Sequence, residues 1–409
     1  MAGGRRGHPG EARTGRESPP LPLQLAEAES PGRRHRRQRE HRGYRRGPPL
    51  LSRFQRNPDP RPERVVIPNP WPALRVFAQL AEELDPFDST NKGFFRGEEA
   101  FLPTVQGWRR WSKPSPEPEL GEDFQRILLS SIQREGPKIS WLIEELADQV
   151  QKSLKKPPLL VAVLRAGVPI GALLAQSLSR RFNESVPFAA LSLFAGLGWD
   201  DAALEAILRE YPDRSLWFVD GWTSGGGVAG ELKASHLRWL KEGRKDFTHG
   251  AGPNLAVLCD PGGFARASAT RADFFVPSSC FTAPATLGFS RGFALSEKEM
   301  FRVYRYPERH LESETVSAWL SIEKNSSPFL FEPALQRKAP PDGWRLHVNE
   351  VARALINRSP KQILLLRERE EAEKSLAPLL ALCEKRKIPL SFGRREVEEW
   401  GAIAAARMS

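Results

Sequence analysis

Short, wholly apolar segments alternate with segments of helical periodicity between residues 122 and 258. Such apolar segments are typical of strands that are buried on both faces of a parallel sheet. The alternation of strands and helices predicts an α/β fold built on a doubly wound parallel sheet. Strands are predicted at Leu159–Leu164, Phe188–Phe194, Leu216–Val219 and Leu255–Leu258, and helices at 122–155, Ile170–Arg181, Trp199–Glu210 and Ala229–Lys241.

The same kind of pattern restarts after a polar, proline-rich linker near residue 326. The chain is therefore expected to divide into a tail (residues 1–65), a main α/β domain (66–325) and a second, smaller α/β domain (326–409). In the small domain, helices are predicted at Val348–Asn357, Glu371–Arg386 and Glu396–Ala405, and strands at Gln362–Leu366 and Ile388–Phe392.

Most of the net charge of +11 comes from the tail, because residues 1–65 hold 16 arginines and only seven acidic residues. The overall basicity is therefore weak support for nucleic-acid binding by the folded body. The tail is rich in Arg, Pro and Gly and has no amphipathic period, so it is predicted to be disordered. It could form a basic nucleic-acid-binding arm, or translation could start near Val65 and omit it.

Three cysteines, Cys259, Cys280 and Cys383, make neither a disulfide framework nor a metal-ligand spacing. This usage fits a reducing cytoplasm. No apolar segment is long enough to span a bilayer. The prediction is a soluble, cytoplasmic protein without a membrane partner.

The loop after the Leu216–Val219 strand carries the most specific chemistry. Asp220 ends an apolar run, and the residues that follow it are small, glycine-rich or hydroxylated. Converging backbone amides and the N-terminal end of the next helix suit an anion. Asp220 is predicted to hold sugar hydroxyls, and the phosphate is predicted to lie on Thr223, Ser224, Gly225, Gly226 and Gly227. A glycine-rich turn of any doubly wound protein is the alternative.

Two further strand ends could contribute. The turn Arg165, Ala166 and Gly167 supplies a guanidinium fork and a glycine suited to a diphosphate, unless Arg165 only caps a helix or pairs with an acid. Asp260 follows another strand and is a candidate for metal or acceptor binding. Cys280, with His236, His249 or His310 as base, could instead be a nucleophile, although most such cysteines are packed core thiols.

These motifs resemble a known family. They are LRAGVPIG at 164–171, FVDGWTSGG at 218–226, AALEAILREYPD at 202–213, CDPGG at 259–263 and PSSC at 277–280. The family comprises the phosphoribosyltransferase-like proteins of bacterial tellurium-resistance and stress-response clusters, also labelled cysteine protease StiP. The segments VNEVARALI, ILLLRE and IPLSFG of the small domain resemble the pelota-type RNA-binding domain that commonly ends these proteins.

The resemblance implies a phosphoribosyltransferase-type fold and a Mg²⁺-dependent enzyme that binds phosphoribosyl diphosphate or a related phosphorylated ribose. It also implies RNA binding by the small domain, although basic residues such as Arg353 and Arg358 could form an ordinary solvated face. Basic residues of the family are replaced here by Phe188, FAGLG at 194–198 and Gly225, which weakens the case for a highly charged donor. The alternatives are a cysteine protease or hydrolase that uses Cys280, and a non-catalytic nucleotide- or RNA-binding stress protein.

Overall fold

The central sheet has six strands, and every neighbouring pair in it is parallel. The computed structural model describes residues 67–97, 100, 104–152, 154–296, 298–325 and 327–408, so the predicted disordered tail lies outside it. The strands are β1 (Leu74–Val76), β2 (Gln79–Glu83), β3 (Leu159–Val163), β4 (Phe188–Leu191), β5 (Leu193–Phe194), β6 (Gly198–Trp199), β7 (Leu216–Trp222), β8 (Asn254–Cys259), β9 (Ala267–Thr270), β10 (Arg302–Arg305), β11 (Trp344–Leu346), β12 (Gln362–Leu365), β13 (Leu390–Ser391) and β14 (Ala404–Arg407).

Ten α-helices lie in the described part of the chain, with four short 3₁₀ helices at Ser89–Phe94, Gly107–Trp111, Pro277–Cys280 and Glu308–His310. The α-helices are α1 (Glu122–Gln151), α2 (Gly167–Phe182), α3 (Asp201–Glu210), α4 (Gly227–Lys241), α5 (Ala283–Thr286), α6 (Ser313–Leu320), α7 (Val348–Asn357), α8 (Arg369–Ser375), α9 (Ala377–Lys385) and α10 (Arg395–Glu399).

The strand order in the sheet is β1-β4-β3-β7-β8-β9. From β3 the chain passes through α2 to β4 on one side, and then through α3 to β7 on the other side of β3. The order of the strands therefore reverses between β3 and β7. In open parallel sheets such a reversal leaves a crevice at the carboxyl ends of the two strands, where ligands bind.

Helices cover both faces of the sheet at its centre, which explains why β3 and β4 are apolar at every position. In β3, Leu160 and Ala162 pack with α1 and α2, whereas Leu159, Val161 and Val163 pack with α3 and α4. Each strand residue thus faces a helical layer. The prediction of a mixed α/β fold with a parallel sheet is confirmed. The sequence patterns missed β1, which adds to the sheet edge beside β4.

The carboxy-terminal unit, residues 344–408, has its own four-stranded sheet in the order β11-β14-β12-β13. Two of the predicted helices in it need correction. The single helix predicted for Glu371–Arg386 is two helices, because Pro378 starts a new helix at α9. The helix predicted for Glu396–Ala405 ends at Glu399, and Ala404 begins strand β14, which pairs with both β11 and β12.

Residues 62–409 form one compact unit, in which helices α7 and α9 of the carboxy-terminal unit pack against α1 and the 3₁₀ helix Pro277–Cys280. Among the described residues, no helix is both long enough and apolar enough to cross a membrane.

Candidate ligand-binding cleft

A cleft of about 970 Å³ opens at the carboxyl ends of β3 and β7. The turn after β3 and the loop after β7 form its floor, and the carboxy-terminal unit forms one wall. Six arginines line it, against three carboxylates. The arginines are Arg96, Arg165, Arg291, Arg345, Arg353 and Arg358, and the carboxylates are Asp220, Glu231 and Glu350.

Asp220 lies inside strand β7 rather than after it, because the strand continues to Trp222. Its carboxylate accepts the Gly221 amide at 2.8 Å and reaches the cleft, yet only 7% of the residue is exposed. Burial, with a smaller contribution from nearby Glu350, raises the pKa of Asp220 to about 7. At pH 7 this carboxyl is therefore about half protonated and adds less negative charge to the cleft than an ordinary aspartate.

The glycine-rich loop leads into the N-terminus of α4. Gly226 has φ +74°, a left-handed conformation that favours glycine, and Gly225 and Gly227 are exposed. No backbone hydrogen bond in the described part of the chain uses the amides of Gly225, Gly226 or Gly227. The Thr223 hydroxyl is buried beside them without a hydrogen-bond partner. The loop thus offers several unused donors to an anion.

Ser224 was predicted to donate to a phosphate, but in this conformation its hydroxyl bonds to the carboxy-terminal unit. Its hydroxyl donates to the Leu346 carbonyl at 3.2 Å and contacts Nδ1 of His347. Nearby, the Trp222 indole donates to Glu350 at 3.0 Å. These bonds tie the loop to the carboxy-terminal unit and set the width of the cleft.

Arg165, at the end of β3, is buried and ion-paired with Glu117. Its second terminal nitrogen donates to Asn357 of α7 at 2.9 Å. The peptide bond between Leu164 and Arg165 is cis. Ala166 lines the cleft, but Gly167 does not approach a ligand: a Cβ there would lie 2.1 Å from the Val219 carbonyl. Gly167 therefore allows α2 to pack closely on β7.

Two more guanidinium groups lie close enough to the Arg165–Glu117 pair to interact with it electrostatically. Arg291 is half-buried, and burial together with Arg165 lowers its pKa to about 10. Arg353 donates to the carbonyls of Ser279 and Phe281, and burial likewise lowers its pKa. No ion pair to Arg291 is formed by any residue that the structure describes. The cluster therefore carries more positive charge than its protein partners neutralise.

Asp260 shapes the loop after β8. Its carboxylate, 1% exposed, accepts the amides of Gly263 (2.8 Å), Phe264 (3.0 Å) and Ala265 (2.8 Å). The described residues hold no group of three or more His, Cys, Asp or Glu side chains placed to bind a metal ion. Metal or acceptor binding by Asp260 and the Mg²⁺ cofactor both stay predictions.

Cys280 ends the 3₁₀ helix Pro277–Cys280 and is fully buried. Burial raises the pKa of its thiol to about 12. Two of the three histidines considered as its base contact other residues, His236 with Asp246 at 3.0 Å and His310 with Asp85 at 2.9 Å, and the third, His249, is exposed on the loop after α4. Burial and a raised pKa are typical of a packed thiol rather than of a poised nucleophile.

Several residues in the cleft or in contact with its arginines were not predicted from the sequence as site residues. Glu117 and Arg291 lie outside the strand-end motifs, and Arg353 was expected on an RNA-binding or solvated surface. Only the helical period of α7 could have indicated that Arg353 lies close to buried positions. Phe264 lies on the loop ordered by Asp260, and no sequence pattern marks its exposure in the cleft.

Comparison with known proteins gives the family. The profile described as "Tellurite-like stress resistance cysteine protease StiP" matches residues 106–320, more than half of the chain. The chain belongs to the StiP family. The cysteine protease StiP of Acinetobacter baylyi is 31% identical over 148 residues, which cover 36% of this chain and 37% of that protein. The match thus spans little more than a third of the curated relative.

Solved structures resemble only part of this StiP-family chain. A hypothetical protein from Neisseria gonorrhoeae with bound ppGpp is 17% identical, with a TM-score of 0.22, over 32% of this chain and 77% of its own. The hypoxanthine phosphoribosyltransferase of Trypanosoma cruzi is also 17% identical, with a TM-score of 0.21, over 32% of this chain and 71% of its own. With TM-scores this low, neither structure supports a conclusion about the fold or function of this chain.

The family match corrects the main functional prediction. Phosphoribosyl transfer was expected, whereas the family and its curated member are both described as cysteine proteases. The predicted transferase function is therefore wrong, and the alternative of a cysteine protease is better supported. Membership in the stress-resistance family is confirmed. The pelota-type domain, RNA binding and Mg²⁺ stay predictions.

Proposed function

We propose that this StiP-family protein contributes to stress resistance by binding a phosphorylated small ligand, such as a nucleotide, in the cleft. The excess of positive charge on buried and half-buried arginines at the cleft carries the proposal. Arg165, Arg291 and Arg353 interact electrostatically with one another, and among the described residues Glu117 is the one carboxylate that forms an ion pair with any of them. Like charges held together out of water destabilise a fold unless an anion compensates them.

The glycine-rich loop supports the same class of ligand. Unused amides at the start of α4 bind anions well, and a helix N-terminus adds a partial positive charge. The buried, unpartnered Thr223 hydroxyl supplies an independent donor at the same place. Arginines with amides and a hydroxyl are the donor set that phosphate oxygens accept.

Calorimetry with inorganic triphosphate and with ATP tests the proposal. The wild-type protein is expected to bind both, more weakly as salt rises. Arg291→Met should weaken binding about 10- to 150-fold, the value of one hydrogen bond to a charged group. Arg209→Met is the matched control, since Arg209 is exposed on α3. Absence of binding at low salt, or equal losses in both variants, contradicts the proposal.

Hydrolysis with the Cys280 thiol as nucleophile is the second candidate function, and the description of the family favours it. Cys280 lies directly below the cleft, because Arg353 donates to carbonyls on both sides of it and also lines the cleft. In the described conformation the thiol is covered. Catalysis would therefore require the Ser279–Phe281 segment to open.

Iodoacetamide labelling distinguishes the two candidates. For a binding protein, Cys280 and Cys383 are both expected to react only after unfolding, because both thiols are buried and both have a pKa of about 12. Faster labelling of Cys280 than of Cys383 in the native protein at neutral pH favours the hydrolase. Cys280→Ser and Cys383→Ser variants identify the labelled residue by mass spectrometry.

A further inference from the structure

The cleft contains one large aromatic ring that the fold leaves uncovered. Phe264 is 50% exposed, the most exposed aromatic side chain among the described residues that line the cleft. Exposure of a phenyl ring to water is energetically unfavourable, whereas aromatic side chains in clefts commonly serve as contact surfaces for ligands. The position of this ring therefore indicates what kind of group occupies the cleft.

The ring lies against the anion-binding loop. A Cβ at Gly226 would be 2.7 Å from the Phe264 ring, and one at Gly262 would be 2.2 Å from it. Only glycine at these two positions lets the ring lie so close to the backbone. Gly226 belongs to the loop whose amides are unused, so the phenyl surface and the anion donors are immediate neighbours.

The backbone under the ring is held firmly. The three amides bonded to the buried Asp260 carboxylate include that of Phe264 itself and those of both its neighbours. Gly263 has φ +74°, and a Cβ there would meet the Arg271 guanidinium at 1.8 Å. A loop ordered in this way presents the aromatic side chain at little entropic cost on binding.

We propose that Phe264 stacks on the planar base of a nucleotide whose phosphates lie on the amides of Gly225–Gly227. This inference rests on the proposed function and narrows the ligand from any phosphorylated small molecule to one with an aromatic ring next to its phosphates. Every base has a π-face, so stacking selects for the ring and not for the identity of the base.

Calorimetry on the full chain tests this inference with ATP, GTP and inorganic triphosphate. The wild-type protein should bind the nucleotides more tightly than triphosphate. Phe264→Ala should weaken nucleotide binding about 5- to 150-fold, the usual value of one base–aromatic stack, and leave triphosphate binding unchanged. Phe264→Trp should retain nucleotide binding. Leu237→Ala, at a leucine 51% exposed on α4, is the matched control.

The outcomes separate the two proposals. If triphosphate binds but nucleotides bind no more tightly, or if Phe264→Ala weakens both equally, the stacking inference is overturned and the proposed function stands. If the wild-type protein binds none of the three ligands, the proposed function fails and the inference fails with it. Thermal unfolding of each variant shows that any loss of affinity is not a loss of fold.

Discussion

Arg165 and Glu117 form a buried ion pair that joins the turn after β3 to the segment preceding α1. The pair belongs to a cluster that also contains Arg291 and Arg353. In the described part of the chain, Glu117 is the one carboxylate that forms an ion pair with an arginine of this cluster. The same arginine also bonds to Asn357 of α7. One guanidinium group thus links the central sheet, the segment preceding α1 and the carboxy-terminal unit.

Glu117→Ala is expected to destabilise the protein strongly. Removal of one partner of a buried pair leaves an uncompensated charge and typically costs about 3–5 kcal/mol. Denaturant unfolding measures this loss. The control is Asp123→Ala, which breaks the exposed pair with Arg126 and should cost about 1 kcal/mol or less. Similar losses for the two variants would show that the pair does not hold the cleft together.

Arg291→Met is expected to stabilise the ligand-free protein. The folded state lowers the pKa of Arg291 from 12.5 to about 10, so the charged form is disfavoured in the fold at every pH below about 10. A difference of 2.5 pKa units corresponds to at most about 3 kcal/mol. Denaturant unfolding at pH 7 measures the gain. A higher stability with weaker triphosphate binding is the combination expected of a binding residue.

Asp220→Asn is expected to change how stability depends on pH. The folded state raises the pKa of Asp220 from 3.8 to about 7, so it binds a proton that the unfolded chain has released in this range. The contribution of this group to stability therefore falls as pH rises from about 4 to about 7, and is constant above.

The asparagine variant lacks this loss, so its stability relative to wild type should increase across the same window by at most about 4 kcal/mol. Unfolding free energies at pH 4, 5.5, 7 and 8 measure the difference. Asp200, whose pKa is also raised to about 7, is present in both proteins, so its contribution cancels in the difference between them. Asp213→Asn, at an exposed aspartate, is the control. A difference that does not vary with pH contradicts the assignment.

Asp273→Ala is expected to loosen the carboxy-terminal unit. The buried Asp273 carboxylate accepts the amides of Val348 at 2.9 Å and Ile403 at 2.8 Å, one at each end of that unit. An amide left buried without an acceptor costs about 1–3 kcal/mol. Hydrogen exchange should become faster in residues 344–408 and stay slow in β3 and β7. Asp273→Asn, which keeps one acceptor oxygen, should have a smaller effect.

The alternating apolar segments predicted the parallel sheet because strands covered on both faces must be apolar at every position. Leu159–Val163 is the clearest case, as all five side chains are buried. The edge strand β1 was missed because three residues with one half-buried arginine carry no such pattern. The start of β14 was mistaken for helix, since Ala404–Ala406 is a run of alanines whose strand conformation depends on pairing with β11 and β12.

The sequence by itself determined the order of strands and helices, the glycine-rich loop after Asp220 and the position of that loop at a strand end. These features follow from local patterns and from the requirement to bury apolar side chains. Only the tertiary structure decided which charges meet: Glu117, Arg165, Arg291 and Arg353 come from four separate segments, and their pairing depends on how those segments pack. The burial of Cys280 and the exposure of Phe264 were decided in the same way, because accessibility is a property of the packed chain and not of the residue.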